Sequence, residues 1–149
     1  MGDRRVVSAV RKVSTVTETN VPSALRYTAE HEWVEQTGPT TVRIGITDFA
    51  QDALGDVVFV QLPATDDQVE KGESFAEVES TKSVSDIYGP LDGTVSGVND
   101  ALESSPETVN SDPYGAGWLV EITVADEATL GTALAEMLDA DGYRAVIEG

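Results

Sequence analysis

From residue 25 onward, apolar positions come in short runs separated by glycine, proline and aspartate. Segments 33–34 and 41–46 read as strands, with Gly38-Pro39 as the turn between them. Thr47 is placed to cap a short helix, Asp48–Leu54, that turns Phe49, Ala50, Ala53 and Leu54 toward the core. Gly55 is expected to close it as a left-handed C-terminal cap. The dense apolar run 57–62 is a strand stopped by Pro63. Lys71-Gly72 then precedes a strand over 75–79, a further strand covers 83–88, and Gly89-Pro90 and Asp92-Gly93 lead into another over 94–98. Segments 71–79 and 92–99 share the order turn, glycine, strand, a short two-fold quasi-repeat. Valine-rich strands spaced roughly 8–12 residues apart predict a small β-sandwich or barrel.

Ser105-Pro106-Glu107 reads as a helix start, 110–117 as a loop and 118–124 as an alternating strand. The longest helical period covers 126–140, where Leu130, Ala133, Leu134, Met137 and Leu138 fall on one face. That stripe is assigned to core packing. Residues 1–22 carry no steady period, end at Pro22 and are read as a flexible tail before one domain over 23–149. The tail has the arginine and serine of a transit peptide, but Asp3 and Glu18 run against one. No run approaches the ~18 apolar residues of a membrane span. No exposed apolar stripe is predicted, so a monomer is expected.

Composition narrows the chemistry. The chain has no cysteine, which excludes disulfides, thiolate metal sites and a cysteine nucleophile. Nine basic residues face 27 acidic ones, a net charge of -18. Such a surface repels phosphate backbones and makes nucleic acid a poor partner. It suits either docking onto basic patches or plain solubility. His31 is the sole histidine, so a two-histidine metal site is impossible. Gly115-Ala116-Gly117 lacks the strand–helix frame of a dinucleotide loop. The abundant carboxylates form no evident catalytic pair, and no enzyme active site emerges.

The lysines remain. Beyond residue 20 there are only Lys71, in a polar turn, and Lys82, between two strands. A tight turn at Lys82 would present its amine at a hairpin tip, aimed by the flanking strands. That perch suits a covalent swinging arm, but on geometry alone an ordinary surface lysine is the commoner reading of so short a motif.

The residues around Lys82 resemble the lipoylation hairpin of the glycine cleavage H-protein family. The likeness is carried by Glu79-Ser80-Thr81-Lys82-Ser83, Ser85-Asp86-Ile87-Tyr88-Gly89-Pro90 and Gly93. It extends through Tyr27-Thr28-Ala29-Glu30-His31-Glu32-Trp33-Val34, Gly45-Ile46-Thr47-Asp48-Phe49-Ala50-Gln51 and Leu54-Gly55-Asp56-Val57-Val58-Phe59-Val60-Gln61-Leu62-Pro63. It reaches Val109-Asn110-Ser111-Asp112-Pro113-Tyr114-Gly115-Ala116-Gly117-Trp118, and so spans about residues 25–143.

The resemblance implies a mainly β fold, a barrel-sandwich hybrid of two small sheets with short helices and a C-terminal helix. It implies a non-catalytic carrier with lipoate in amide linkage on Lys82. Such a carrier shuttles the aminomethyl group of glycine from the pyridoxal-phosphate-dependent decarboxylase (P protein) to the aminomethyltransferase (T protein). Dihydrolipoamide dehydrogenase (L protein) reoxidises the dithiol. It further implies that Glu79 and Gly93 help the lipoyl-attaching enzyme recognise the hairpin, and that Glu32 and Asp86 contact the loaded arm in a surface cleft. His31 is expected to make structural hydrogen bonds. The implied location is the bacterial cytoplasm, or the mitochondrial matrix if the tail is a transit peptide.

The chain departs from the family pattern at three places. Ala64-Thr65-Asp66-Asp67 lacks the glycine usual after Pro63, so that turn is expected to differ. Thr81 stands where valine is usual, and Glu30 where a small polar residue is common. The rival readings are a biotin carrier, a 2-oxoacid dehydrogenase lipoyl domain, and a lipoyl relay or interaction module. Biotin sites usually flank the lysine with methionines, whereas Thr81 and Ser83 flank Lys82.

Overall fold

A computed structural model describes residues 20–148. It is built of strands in two antiparallel sheets, with short helices and a C-terminal helix. The strands are β1 (Arg26–Tyr27), β2 (Glu32–Gln36), β3 (Thr41–Ile46), β4 (Val57–Gln61), β5 (Gln68–Val69), β6 (Ser74–Ser80), β7 (Val84–Tyr88), β8 (Gly93–Val98) and β9 (Val120–Thr123). The larger sheet has the order β1-β2-β3-β9-β8-β5, and the smaller has β4-β6-β7. The two quasi-repeated strands β6 and β8 thus fall in different sheets.

Alternation along the strands sends Val34, Val42, Ile44, Val95, Val120 and Ile122 of the large sheet into the main core. There they meet Val60, Ala76, Val78 and Ile87 of the small one. Period-2 patterning with one buried face is the cause of this two-sheet packing. A second cluster gathers Val21, Leu25, Tyr27, Trp33, Ala140 and Tyr143 at the edge of the large sheet.

Helix α1 (Asp48–Leu54) forms as its capping residues predict: Thr47 Oγ1 accepts the Ala50 N–H at 3.2 Å. Gly55 closes it, its N–H donating to Gln51 O. Its φ of 85° is paired with ψ of -163°, so the chain leaves extended and not through the left-handed helical turn expected. After a 3-10 turn (Asp100–Glu103), α2 (Thr108–Ser111) begins just past the predicted helix start.

The helix predicted over 126–140 is two helices. These are α3 (Glu127–Glu136) and α4 (Ala140–Glu148). Between them Leu138 leaves the helical path to pair with β1: its N–H donates to Tyr27 O at 2.9 Å and its carbonyl accepts from Tyr27 N at 2.8 Å. Two bonds to the edge strand replace the helical bonds forgone, and the break lets Tyr143 turn inward.

The turn after Pro63 keeps the conformation a glycine would take, because Asp66 adopts φ 80°. Aspartate tolerates that region better than most residues. Of the expected tail, residues 1–19 lie outside those described. Asn20 to Pro22 pack on the body: Val21 is buried, and Arg144 donates to its carbonyl at 3.2 Å. The surface also differs from expectation in one respect. The outer side of β4-β6-β7 exposes Val58, Phe59 and Val84.

Candidate functional site

Strands β6 and β7 pair up to Glu79↔Val84, and Ser80 N–H donates to Ser83 O at 2.8 Å. Thr81 and Lys82 are left as the tip. Neither has positive φ, so the tip lacks the primed geometry that usually closes a two-residue hairpin. The Ser80 hydroxyl does part of that work. It accepts from the backbone N–H of Lys82 at 3.2 Å and of Ser83 at 3.1 Å. Thr81 N–H donates to Asp56 O at 3.1 Å, which ties the tip to the segment between α1 and β4.

The Lys82 stem runs over Gly55. A β-carbon on that glycine would stand 3.3 Å from Lys82 Cε and 3.9 Å from Nζ. Gly55 therefore serves twice, through its positive φ and as a floor with no side chain beneath the lysine. Lys82 is exposed, and none of the ion pairs among the described residues involves it. Lys71 differs: its Nζ lies 3.8 Å from Glu136 Oε1 at the mouth of a groove under α3.

A cleft of about 330 Å³ opens beside the tip. Phe49, Ala53 and Leu54 of α1 form one wall, Ser83 and Ile87 another, and Glu30 and His31 the polar end. His31 is held at φ 72°, a strained conformation for a non-glycine residue. Its Nδ1 is 2.8 Å from Tyr143 Oη, which in turn lies 2.7 Å from Thr47 Oγ1. Burial lowers the His31 pKa, against a smaller opposing effect of Glu30, and so favours the neutral ring. The structural hydrogen bond expected of His31 is present, and the residue also lines the cleft.

The other expected site residues lie apart. Glu32 is 1% exposed and is not among the cleft-lining residues. Its Oε1 accepts from the Thr28 hydroxyl at 2.7 Å and its Oε2 from Tyr88 N–H at 3.0 Å. It thereby ties β2 to the end of β7. Burial pushes its pKa up to about 7, although both hydrogen bonds act the other way. Asp86 is exposed opposite Glu77, accepts from Ser74 Oγ at 3.4 Å, and likewise does not line the cleft. The fold does not bring Glu32 and Asp86 together there; it brings Glu30 and His31.

Glu79 sits on the outer face, between Phe59 and Val84 in one cross-strand row. Gly93 opens β8 at the far end of β7 from the tip. A β-carbon there would stand 2.8 Å from Thr123 O and collide with Ile122, so this glycine is required for β8 to lie against β9. Sequence reading missed Ser80 and Gly55 as supports of the lysine. The signal for each was local, a serine two residues before the lysine and a glycine after a short helix. Neither says that the two meet at Lys82.

Comparison with known proteins is consistent with this geometry. The family described as Glycine cleavage H-protein matches residues 25–148. The glycine cleavage system H protein of Mycobacterium avium (strain 104) is 62% identical over 128 residues, covering 86% of this chain and 97% of the relative. That of Nocardia farcinica (strain IFM 10152) is also 62% identical over 128 residues, with the same coverage. A crystal structure of a glycine cleavage system H protein from Mycobacterium marinum aligns with a TM-score of 0.76 at 42% identity, covering 87% of this chain and 100% of that one.

Proposed function

Because the chain belongs to the glycine cleavage H-protein family, we propose that it carries lipoate in amide linkage on Lys82 and serves as a non-catalytic shuttle. The observation that carries this reading is the state of the Lys82 amine. It is exposed, outside any ion pair among the described residues, and mounted on a braced turn beside a cleft. The cleft fits the group, since Phe49, Ala53, Leu54 and Ile87 offer apolar walls to a hydrocarbon arm. The Glu30 carboxyl and the His31 ring offer polar partners to a polar end.

When bound, the lipoyl group supplies the disulfide–dithiol chemistry that a chain without cysteine cannot. The chain holds the arm's root and limits where it can travel. Tethering raises the local concentration of the cargo at any partner site within reach. The partners on this reading are the decarboxylase (P protein), the aminomethyltransferase (T protein) and dihydrolipoamide dehydrogenase (L protein). Glu79 faces outward near the tip, within reach of a lipoyl-attaching enzyme, and is proposed as a recognition residue. Gly93 is proposed to act indirectly, through the strand packing it permits. The reported relatives are bacterial, which favours the bacterial cytoplasm over a mitochondrial matrix.

Intact-mass measurement after incubation with a lipoyl-attaching enzyme tests this. One lipoyl addition is expected in the native chain and in Lys71→Arg, and none in Lys82→Arg. An unmodified native chain, or an addition that survives Lys82→Arg, would overturn the proposal. Glycine–bicarbonate exchange with the purified decarboxylase then separates a working shuttle from a lipoyl relay, which would be lipoylated but inactive.

A further inference from the structure

The His31 ring ends a three-member hydrogen-bond chain whose direction is set by burial. Its Nδ1 lies 2.8 Å from Tyr143 Oη, and that oxygen lies 2.7 Å from Thr47 Oγ1. Taken singly, each contact can run either way. Thr47 and Tyr143 are both fully buried, so neither hydroxyl proton can go to water. Thr47 Oγ1 already accepts the Ala50 N–H, and among the described residues its proton has one acceptor, Tyr143 Oη. If Thr47 donates, Tyr143 donates onward to His31 Nδ1 and both hydroxyls are satisfied. In the reverse order Nδ1–H donates to Tyr143 and Tyr143 to Thr47. The Thr47 proton is then buried without an acceptor, the costlier arrangement. The first order leaves the imidazole proton on Nε2. Protonating Nδ1 would force the second, so the same chain of bonds holds the ring neutral.

The ring is fixed in place as well as in protonation. His31 N–H donates to Thr28 O and its carbonyl accepts from Thr47 N–H, both at 3.1 Å, with φ held at 72°. The ring packs on Phe49 at 4.9 Å between centroids. It is half-buried at the polar end of the cleft, and Nε2 has no partner among the described residues.

We propose that His31 binds the sulfur end of the lipoyl arm, its Nε2–H donating to a sulfur atom when the arm lies in the cleft. The inference rests on the reading of Lys82 as the attachment point. Position selects the group that is bound. The Lys82 stem crosses Gly55 at the C-terminal end of α1, whereas His31 packs on Phe49 near its N-terminal end, roughly 9 Å away at about 1.5 Å per helical residue. The amide carbonyl is bonded to Nζ and stays at the Gly55 end. Beyond it the arm carries no acceptor except its sulfurs, which are weak ones. An N–H donor does not attract an ammonium, so an amine on the loaded arm falls to the Glu30 carboxyl instead. Tyr143 and Thr47 touch no part of the arm. They are positioning residues, and through them α4 serves a cleft that it does not line.

NMR of the full chain, made without a histidine tag and with isotope-labelled histidine, reads this one imidazole. In the native unlipoylated chain the proton should sit on Nε2, with a titration midpoint below the ordinary 6.5. Lipoylation should shift the Nε2–H signal, and reduction of the arm with a phosphine should shift it again, because only a contact at sulfur senses the broken disulfide. Tyr143→Phe should mix the two tautomers and raise the midpoint. The titratable groups around the ring are Glu30 beside it, Tyr143 on α4 and Glu32 behind Tyr143, and this variant leaves both carboxyls in place. From α1 the ring meets Phe49, and β7 lines the cleft with Val84, Ser85 and Ile87. Phosphine reduction of the lipoylated chain should run at least threefold faster in Tyr143→Phe and be unchanged in Val146→Ala. A proton on Nδ1 in the native chain, or an even mixture, would overturn the proposal. So would an Nε2–H signal that ignores lipoylation or reduction in a chain lipoylated on Lys82, and Lys82 would then stand as the attachment site without this contact. If Tyr143→Phe does not fold, the measurements on the native chain still apply. A native chain that is never lipoylated would remove the Lys82 reading, and the arm contact with it.

Discussion

At the scale of single residues, environment overrides residue type. Glu32 would pass for a surface acid in the sequence, yet it is enclosed and held by Thr28 and the Tyr88 N–H. Its carboxyl titrates at about 7 in the folded chain against an ordinary value of 4.5. Between those values the folded state holds a proton that the unfolded chain has released. The stability from this group is therefore complete below pH 4.5, declines as pH rises through the window, and is gone above about 7. The whole difference is about 3 kcal/mol. Glu32→Gln keeps an acceptor for the Tyr88 N–H and removes the charge. Its melting temperature at pH 8 should exceed that of the native chain by several degrees, with the gap closing toward pH 4.5. A lower melting temperature for the glutamine variant at pH 8 would show that the carboxylate is net stabilising in its site.

At the scale of elements, the longer strands were legible, while the two-residue strands β1 and β5 and the last helix were not. β3, β6 and β9 bury alternate residues, and that period is written locally in Val42, Ile44, Val78, Val120 and Ile122. The stripe from Leu130 to Leu138 looked continuous because both sides of the break are apolar. The partner that interrupts it, Tyr27, lies more than a hundred residues earlier, and no local pattern reports it. What α4 gains is Tyr143, stacked on Tyr27 at 4.8 Å and bonded to His31 and Thr47. Tyr143→Ala should cost about 3–5 kcal/mol in chemical denaturation, since it opens a cavity and takes a hydrogen-bond partner from buried Thr47 and half-buried His31. Val146→Ala on the same helix should stay within about 0.5 kcal/mol. Equal effects at the two positions would mean that α4 docks without Tyr143.

At the scale of the whole molecule, charge sets the behaviour. A net charge of -18 on 149 residues opposes the compact state by self-repulsion. Few ion pairs among the described residues offset it: Arg43–Glu121 spans β3 and β9 at 2.8 Å, while Lys71–Glu136 and Arg144–Asp141 are exposed. Raising the ionic strength from about 0.01 M to 0.15 M shortens the screening length from about 30 Å to about 8 Å. The melting temperature at pH 7.5 should rise across that range. A flat or falling curve would show that local ion pairs outweigh the global repulsion.

The sequence by itself determined the strand pattern, the cap on α1, the lysine hairpin and the family, because each is encoded in neighbouring residues or in ordered blocks of them. It also confined any lysine chemistry in the domain to two positions. Only the tertiary structure decided which carboxylates and imidazole face the cleft, that Ser80 and Gly55 brace Lys82, and that a bulge turns Val58 and Phe59 out beside it. The physical reason is the range of the interactions. Propensity and period act over a few residues along the chain, whereas burial, proton affinity and side-chain direction are set by atoms that the fold brings from distant segments.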